Sequence, residues 1–145
     1  MLKHKQEFRH NPPATYGDCH RAALASLLSL PLEAVPHFMQ GLGPDDGEIF
    51  NKMQDKFLQD RGLDCIVFPV YGSDLKAVFK ASRVWNGDRL FLLGGTSANN
   101  HGHTVVAGPK GIVWDPSQND SGIIGPMKDG YYWITYIVGL IELKE

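Results

Sequence analysis

Residues 19–29 read CHRAALASLLS, and after Arg21 almost every side chain in this run is small or apolar. Asp18 stands before the run as a typical N-cap residue, and Pro31 follows it, so we expect a helix from Cys19 to about Ser29. A helix that is apolar on nearly all sides is usually buried in the middle of a domain. We therefore expect this helix to lie at the centre of the fold.

The rest of the chain shows helical patterns first and strand patterns later. Asp45 or Asp46 can cap a second long helix, and Gly62 follows it as a C-cap. Gly94 and Gly95 are expected to bound a buried strand, and the turn at residues 108–111 predicts a hairpin. Helical segments are expected at 32–38, 47–61 and 73–82, with strands at 63–70, 89–93, 103–107 and 112–115 and one or two more within 131–143. This order favours an α+β fold with an antiparallel sheet.

Length and charge limit the class of protein. With 145 residues, the chain suits one domain spanning 1–145, in which residues 1–17 form an extended lead-in. The chain has 14 Lys and Arg against 16 Asp and Glu. Because phosphate binding needs a surplus of clustered basic residues, this balance argues against a nucleic-acid partner.

The sequence also argues against membrane insertion and export. No apolar run approaches the roughly 20 residues that span a bilayer. The N-terminal segment MLKHKQEFRHNPP lacks the apolar core of a secretory signal. We therefore expect a cytoplasmic protein whose two cysteines, Cys19 and Cys65, are free thiols.

Cys19 is a candidate nucleophile because of its place at the start of the first helix. The unpaired backbone N–H groups and the positive end of the helix dipole favour a thiolate there. The same N–H groups can receive a developing oxyanion. The alternative is that Cys19 is a small buried hydrophobic residue, which is the common role of an isolated cysteine.

His103 and Asp115 are the candidate base and orienting residue. They begin and end the two strands of the predicted hairpin, and a three-residue loop would place them directly opposite each other on one face. A carboxylate bonded to the imidazole would fix its tautomer. Alternatively, His103 is an ordinary strand residue and Asp115, before Pro116, forms a turn. The joint occurrence of Cys, His and Asp in this order favours thiol catalysis.

Two blocks of the chain carry a resemblance to a known family. The first is GDCHRAALASLL at 17–28, followed by LPLE and VPHF, and the second is GHTVV at 102–106, followed by GIVWDPS at 111–117. Together they resemble small papain-like cysteine peptidases of bacteria and bacteriophages. A more distant likeness is to the bacteriocin-leader-processing peptidases of export transporters.

The resemblance implies a papain-like fold in which the cysteine helix packs on an antiparallel sheet. It implies Cys19 as nucleophile, His103 as base and Asp115 as orienting residue. Papain-like enzymes also carry a glutamine before the cysteine as an oxyanion donor. Here Gln6 is the candidate for the oxyanion hole and Asn11 the alternative.

These observations predict a cysteine hydrolase that cleaves a peptide, isopeptide or amide bond through a Cys19 acyl-enzyme, without a metal or organic cofactor. His101 and His103 could bind a metal with Cys19 or Asp115, but their spacing is not typical of zinc sites, and we predict none. The substrate is expected to be a protein, peptide or other amide in a bacterial or phage-infected cell. The alternatives are an acyltransferase or deamidase of the same fold and a non-catalytic phage or host protein-binding module. The oligomeric state stays open.

Overall fold

The computed structural model describes residues 1–72 and 74–141. Within them the chain forms three α-helices, one short 3₁₀ helix and five strands. The helices are α1 (Cys19–Leu28), α2 (Gly47–Gln59) and α3 (Leu75–Asn86), with the 3₁₀ helix at Leu32–Ala34. The strands are β1 (Leu63–Tyr71), β2 (Phe91–Thr96), β3 (Gly102–Gly108), β4 (Gly111–Trp114) and β5 (Tyr131–Gly139).

The five strands make a single sheet in the order β1-β5-β2-β3-β4. Every neighbouring pair in this order is antiparallel. The predicted α+β class with an antiparallel sheet is therefore confirmed. None of the helices in the described ranges combines the length and apolar character needed to cross a membrane.

Helix α1 is central, as its composition predicts. Its residues from Ala22 to Ala25 have no exposed surface. Ala23, Leu24 and Ala25 belong to a core cluster that also includes Leu92 of β2, Val106 of β3, Phe38 and Leu58. Burial of a side chain such as Leu24 stabilises the fold by about 1.5–3 kcal/mol. The helix ends at Leu28, and its C-cap residue Ser29 adopts a left-handed conformation with φ of 54°.

The prediction that Asp18 caps α1 through its side chain is wrong. Asp18 occupies the N-cap position, but its carboxylate accepts no hydrogen bond from the first turn. It accepts instead from the backbone N–H groups of Glu7 and Phe8, at 2.9 and 2.8 Å. The lead-in thus competes for the oxygen that a local capping interaction would use.

The second and third helices differ from expectation at their ends. Helix α2 ends at Gln59, two residues early, and the Asp46 side chain accepts from Gly43 N instead of capping it. Helix α3 continues to Asn86. Its cap is Asp74, which accepts from Ala77 N, whereas Ser73, the expected start, lies outside the described residues.

Strand β2 runs through the two glycines that were expected to end it. A Cβ on Gly95 would lie 2.7 Å from both Gly125 O and Ile123 Cγ2. Such close approach explains glycine inside a strand, where it otherwise weakens pairing. The C-terminal pattern gives one strand, β5, and its expected extension to residues 142–143 lies outside the described residues.

The β3–β4 hairpin has a different register from the one expected with a three-residue loop. Gly108 pairs with Gly111 across a two-residue loop, and a bulge between Val106 and Ala107 shifts the pairing so that Val106 faces Trp114. Asp115 follows the end of β4 and is not directly opposite His103. Continuing this register sets Asp115 beside Val105, so it approaches His103 diagonally on the same face.

Candidate active site

Cys19 is the first residue of α1 and is partly exposed. The first backbone hydrogen bond at this end of the helix runs from Ala22 N to Asp18 O, at 3.0 Å. The backbone N–H groups of Cys19, His20 and Arg21 therefore have no hydrogen-bond acceptor within the helix. Because the Asp18 side chain does not cap them, this end of α1 can bind an anion.

His103 and Asp115 form a short, buried hydrogen bond. The His103 Nε2 to Asp115 Oδ1 distance is 2.7 Å, and the two side chains are 5% and 11% exposed. The bond joins the start of β3 to the residue that follows β4. This contact is the pairing that the sequence suggests, reached through a different register.

Two backbone groups hold the Asp115 carboxylate in place. Ser117 N donates to Oδ1 at 2.9 Å, and Gly122 N donates to Oδ2 at 2.7 Å. Burial by itself would raise the pKa of Asp115, but the bonds from His103, Ser117 and Gly122 hold that pKa well below its usual range. Asp115 is thus an ionised acceptor with a fixed orientation.

The pKa of His103 depends on both Cys19 and Asp115. Burial lowers that pKa, but the hydrogen bond to Asp115 and the nearby Cys19 and Asp115 groups raise it to about 9. Since Nε2 faces Asp115, the other ring nitrogen is the one available to Cys19. The contact that the structure gives for this ring is therefore the one with Asp115, and Cys19 lies near enough to affect the pKa of His103.

Gln6 and Asn11 occupy the lead-in before the cysteine. Gln6 N donates to Pro116 O at 2.7 Å, which sets Gln6 beside the Asp115 turn. The Gln6 side chain folds back on its own segment, where Nε2 donates to Phe8 O at 2.6 Å. Asn11 is exposed and pairs through its backbone with Thr15. Gln6 is therefore the nearer of the two to the loop that carries Asp115.

His101 is exposed, and its ring contacts that of His10 with centroids 5.3 Å apart. Among residues 1–72 and 74–141, the potential metal ligands that cluster are Asp55, Asp64 and Cys65, within 4.8 Å of one another. The metal site considered from the sequence, His101 and His103 with Cys19 or Asp115, does not coincide with this cluster. The sequence gives little sign of the cluster, because Asp55 lies on α2 and the other two residues lie on β1.

A second histidine, His20 of α1, lies between this helix and its neighbours. The ring of His20 bonds with Thr104 Oγ1 at 3.2 Å and with Gln54 Oε1. Burial lowers the pKa of His20, which the bond to Gln54 partly opposes. His20 therefore joins α1 to α2 and to the strand that carries His103, and it faces away from Cys19 as its helical position predicts.

Comparison with protein-family models and with curated proteins finds no match for this chain. These comparisons therefore do not support the resemblance of the two sequence blocks to papain-like peptidases. The case for a function depends on the side chains around His103.

Proposed function

We propose that this chain is a papain-like cysteine hydrolase that cleaves a peptide, isopeptide or amide bond. The observation that carries the proposal is the hydrogen bond between the His103 imidazole and the Asp115 carboxylate, which leaves the other ring nitrogen of His103 available to Cys19 at the start of α1. Nucleophile, base and orienting group are the three parts that thiol catalysis requires.

The reaction proceeds in two steps. The Cys19 thiolate attacks the carbonyl carbon and forms a C–S bond, and the His103 imidazolium gives its proton to the leaving nitrogen as the C–N bond breaks. Neutral His103 then takes a proton from water, whose oxygen attacks the thioester. The C–S bond breaks, the acid product leaves, and Cys19 returns as thiolate beside protonated His103.

The start of α1 supplies the oxyanion site. Its first backbone N–H groups are not capped by Asp18, so they stabilise the negative oxygen of the tetrahedral intermediate. Gln6 is the proposed side-chain donor, because its backbone is bonded beside the Asp115 turn. The bond from Gln6 Nε2 to Phe8 O uses one of the two amide hydrogens.

The architecture supports the finer assignment to a papain-like fold. The nucleophile begins a buried helix, and that helix packs on an antiparallel sheet whose β3 and β4 deliver His103 and Asp115. The order Cys, His, Asp along the chain is the order of that family. An amine in place of water would use the same steps to give acyl transfer.

The test uses iodoacetamide, since no substrate is identified. At pH 6 we expect Cys19 to be carboxamidomethylated faster than Cys65, with both sites quantified by peptide mass spectrometry. Replacement of His103 by Ala should slow Cys19 labelling by about 100-fold, because the imidazolium that stabilises the thiolate is lost. His101→Ala, two residues away and exposed, serves as the matched control and should have little effect. Equal, slow labelling of both cysteines in the unaltered protein would refute the proposal and favour a binding module.

A further inference from the structure

The N-terminal lead-in runs between the start of α1, which carries Cys19, and the turn at residues 115–117, which carries Asp115. We define residues 3–8 as the N-terminal clasp. On one side the clasp contacts α1, which begins with Cys19, and on the other it contacts the residues around Asp115. Both sets of contacts are hydrogen bonds to named atoms, and neither was expected from the sequence.

The α1 side of the clasp is anchored on a buried carboxylate. Asp18 has no exposed surface, and its Oδ1 binds the backbone N–H groups of Glu7 and Phe8. Its Oδ2 pairs with the Arg21 guanidinium at 3.3 Å. Further along the helix, His4 N donates to Ser26 Oγ at 2.9 Å. The clasp is thus fixed to the element that begins with Cys19.

The opposite side of the clasp is anchored by the ammonium group of Lys5. Lys5 Nζ donates to Asp115 O at 3.0 Å, to Ser117 O at 2.8 Å and to Asp120 Oδ1 at 2.7 Å. A lysine has three donors, so this site uses all of them. Gln6 N adds a bond to Pro116 O at 2.7 Å.

These contacts lead us to propose that Lys5 is a positioning residue for Asp115, acting through the turn at residues 115–117. The inference rests on the proposed function and deepens it by adding a residue to the site. Lys5 binds the two carbonyls of the turn whose Ser117 N–H holds the Asp115 carboxylate. The direction of that carboxylate toward His103 therefore depends on a side chain from the other end of the sequence.

A neighbouring lysine provides the matched control. Lys3 and Lys5 both lie over the ring of Trp114, with Nζ to centroid distances of 5.3 and 4.6 Å. Lys5 has the additional bonds to the Asp115 turn. Replacing either lysine by Met removes one positive charge and one cation–π contact, so a difference between the two variants reports the bonds of Lys5 to the Asp115 and Ser117 carbonyls and to Asp120.

The experiment measures two properties of the full chain carrying Lys5→Met or Lys3→Met. The first is the apparent pKa of His103, from its imidazole resonances in an NMR titration. The second is the rate of Cys19 alkylation by iodoacetamide at pH 6. We expect Lys5→Met to lower the His103 pKa by about one unit and the rate by about 10-fold, because the Asp115 carboxylate loses its fixed direction.

The controls separate positioning from general stability. Lys3→Met should stay within about twofold of the unaltered protein in alkylation, and Lys5→Arg should recover most of the lost rate, since it keeps a charged donor. If Lys5→Met matches Lys3→Met in both measurements, the inference is wrong. If Cys19 of the unaltered protein is no more reactive than Cys65, the proposed function fails, whereas the titration still decides whether Lys5 positions Asp115.

Discussion

The two cysteines of this chain lie in opposite electrostatic surroundings. Cys19 begins α1 and interacts with a histidine whose pKa is raised to about 9. Cys65 lies in β1, where its Sγ donates to Asp55 Oδ1 at 3.5 Å and accepts from Gln54 Nε2 at 3.8 Å. Burial, the charge and hydrogen bond of Asp55, and the charge of Asp64 raise the pKa of Cys65 to about 12, which the Gln54 bond partly opposes.

The contrast shows that partial burial does not decide what a thiol can do. Both cysteines are partly buried and free of disulfides. They differ in the ionisable side chain beside them, which is His103 for Cys19 and Asp55 for Cys65. A cation favours a thiolate and a carboxylate opposes it. Cys65 therefore acts as an internal reference for the reactivity of Cys19.

The largest expected change comes from weakening the cationic surroundings of Cys19. Asp115→Asn removes the charge that holds His103 protonated, so the pKa of His103 should fall from about 9 toward its ordinary range. We expect Cys19 alkylation at pH 6 to slow by roughly 10- to 100-fold, while Cys65 is unaffected. Peptide mass spectrometry over a time course would measure the alkylation rates of both cysteines. An unchanged Cys19 rate would show that Asp115 does not contribute to the reactivity of Cys19.

A smaller change is expected from the opposite side of the comparison. Asp55→Asn keeps the hydrogen-bond acceptor and removes the negative charge beside Cys65. The pKa of Cys65 should then fall below about 12. At pH 8 we expect Cys65 alkylation to rise by about 10-fold, because the lower pKa increases the thiolate fraction. The rise is limited to this size because burial continues to disfavour the thiolate.

Asp60→Asn is the control for that variant, since it removes a charge five residues later that is exposed and paired with Lys56. It should leave Cys65 alkylation at pH 8 unchanged. An equal rise in both variants would mean that the effect is general electrostatics and not contact with Asp55.

The smallest effect concerns stability, where the two sites act in different pH ranges. The folded pKa of His103 is raised from 6.5 to about 9, so its contribution is complete below pH 6.5 and is lost as the pH rises through about 9. The folded pKa of Cys65 is raised from 9.0 to about 12, so its contribution is lost between those values.

The unaltered protein is the suitable background for this measurement, because Cys19 as well as Asp115 contributes to the raised pKa of His103. Urea unfolding should show a loss of about 1 kcal/mol between pH 6.5 and pH 9. Adding Asp115→Asn should flatten this range, and adding Cys65→Ser should flatten only the range above pH 9. A flat profile across pH 6.5–9 before these additions would contradict the raised pKa of His103.

Local patterns predict the pieces of the site better than their arrangement. The start of α1 at Cys19 follows from Asp18 and the apolar run after it, and the hairpin follows from its Gly-Pro-Lys-Gly turn. The register does not follow, because the bulge at Val106 and Ala107 depends on how the two strands pair with the rest of the sheet. Asp115 still reaches His103 because side chains on one face also meet diagonally.

Two errors share one cause, which is competition from groups far away in the sequence. Asp18 has the right residue type and place for a cap, yet its carboxylate binds the backbone of Glu7 and Phe8. Gly94 and Gly95 have the composition of a strand end, yet both pair with β3, and the missing Cβ of Gly95 accommodates the close backbone of Gly125. Neither competing group lies within the local sequence window that suggested the prediction.

The sequence by itself determined the α+β class, the central helix and the choice of His103 and Asp115 as partners, because these depend on periodicity and on residue chemistry within a few positions. Tertiary structure alone decided that Lys5 anchors the Asp115 turn across 110 positions of sequence and that Cys65 lies beside carboxylates. The reason is that charges and hydrogen bonds act over a few ångströms in space, and the chain's path through the fold determines which groups come that close.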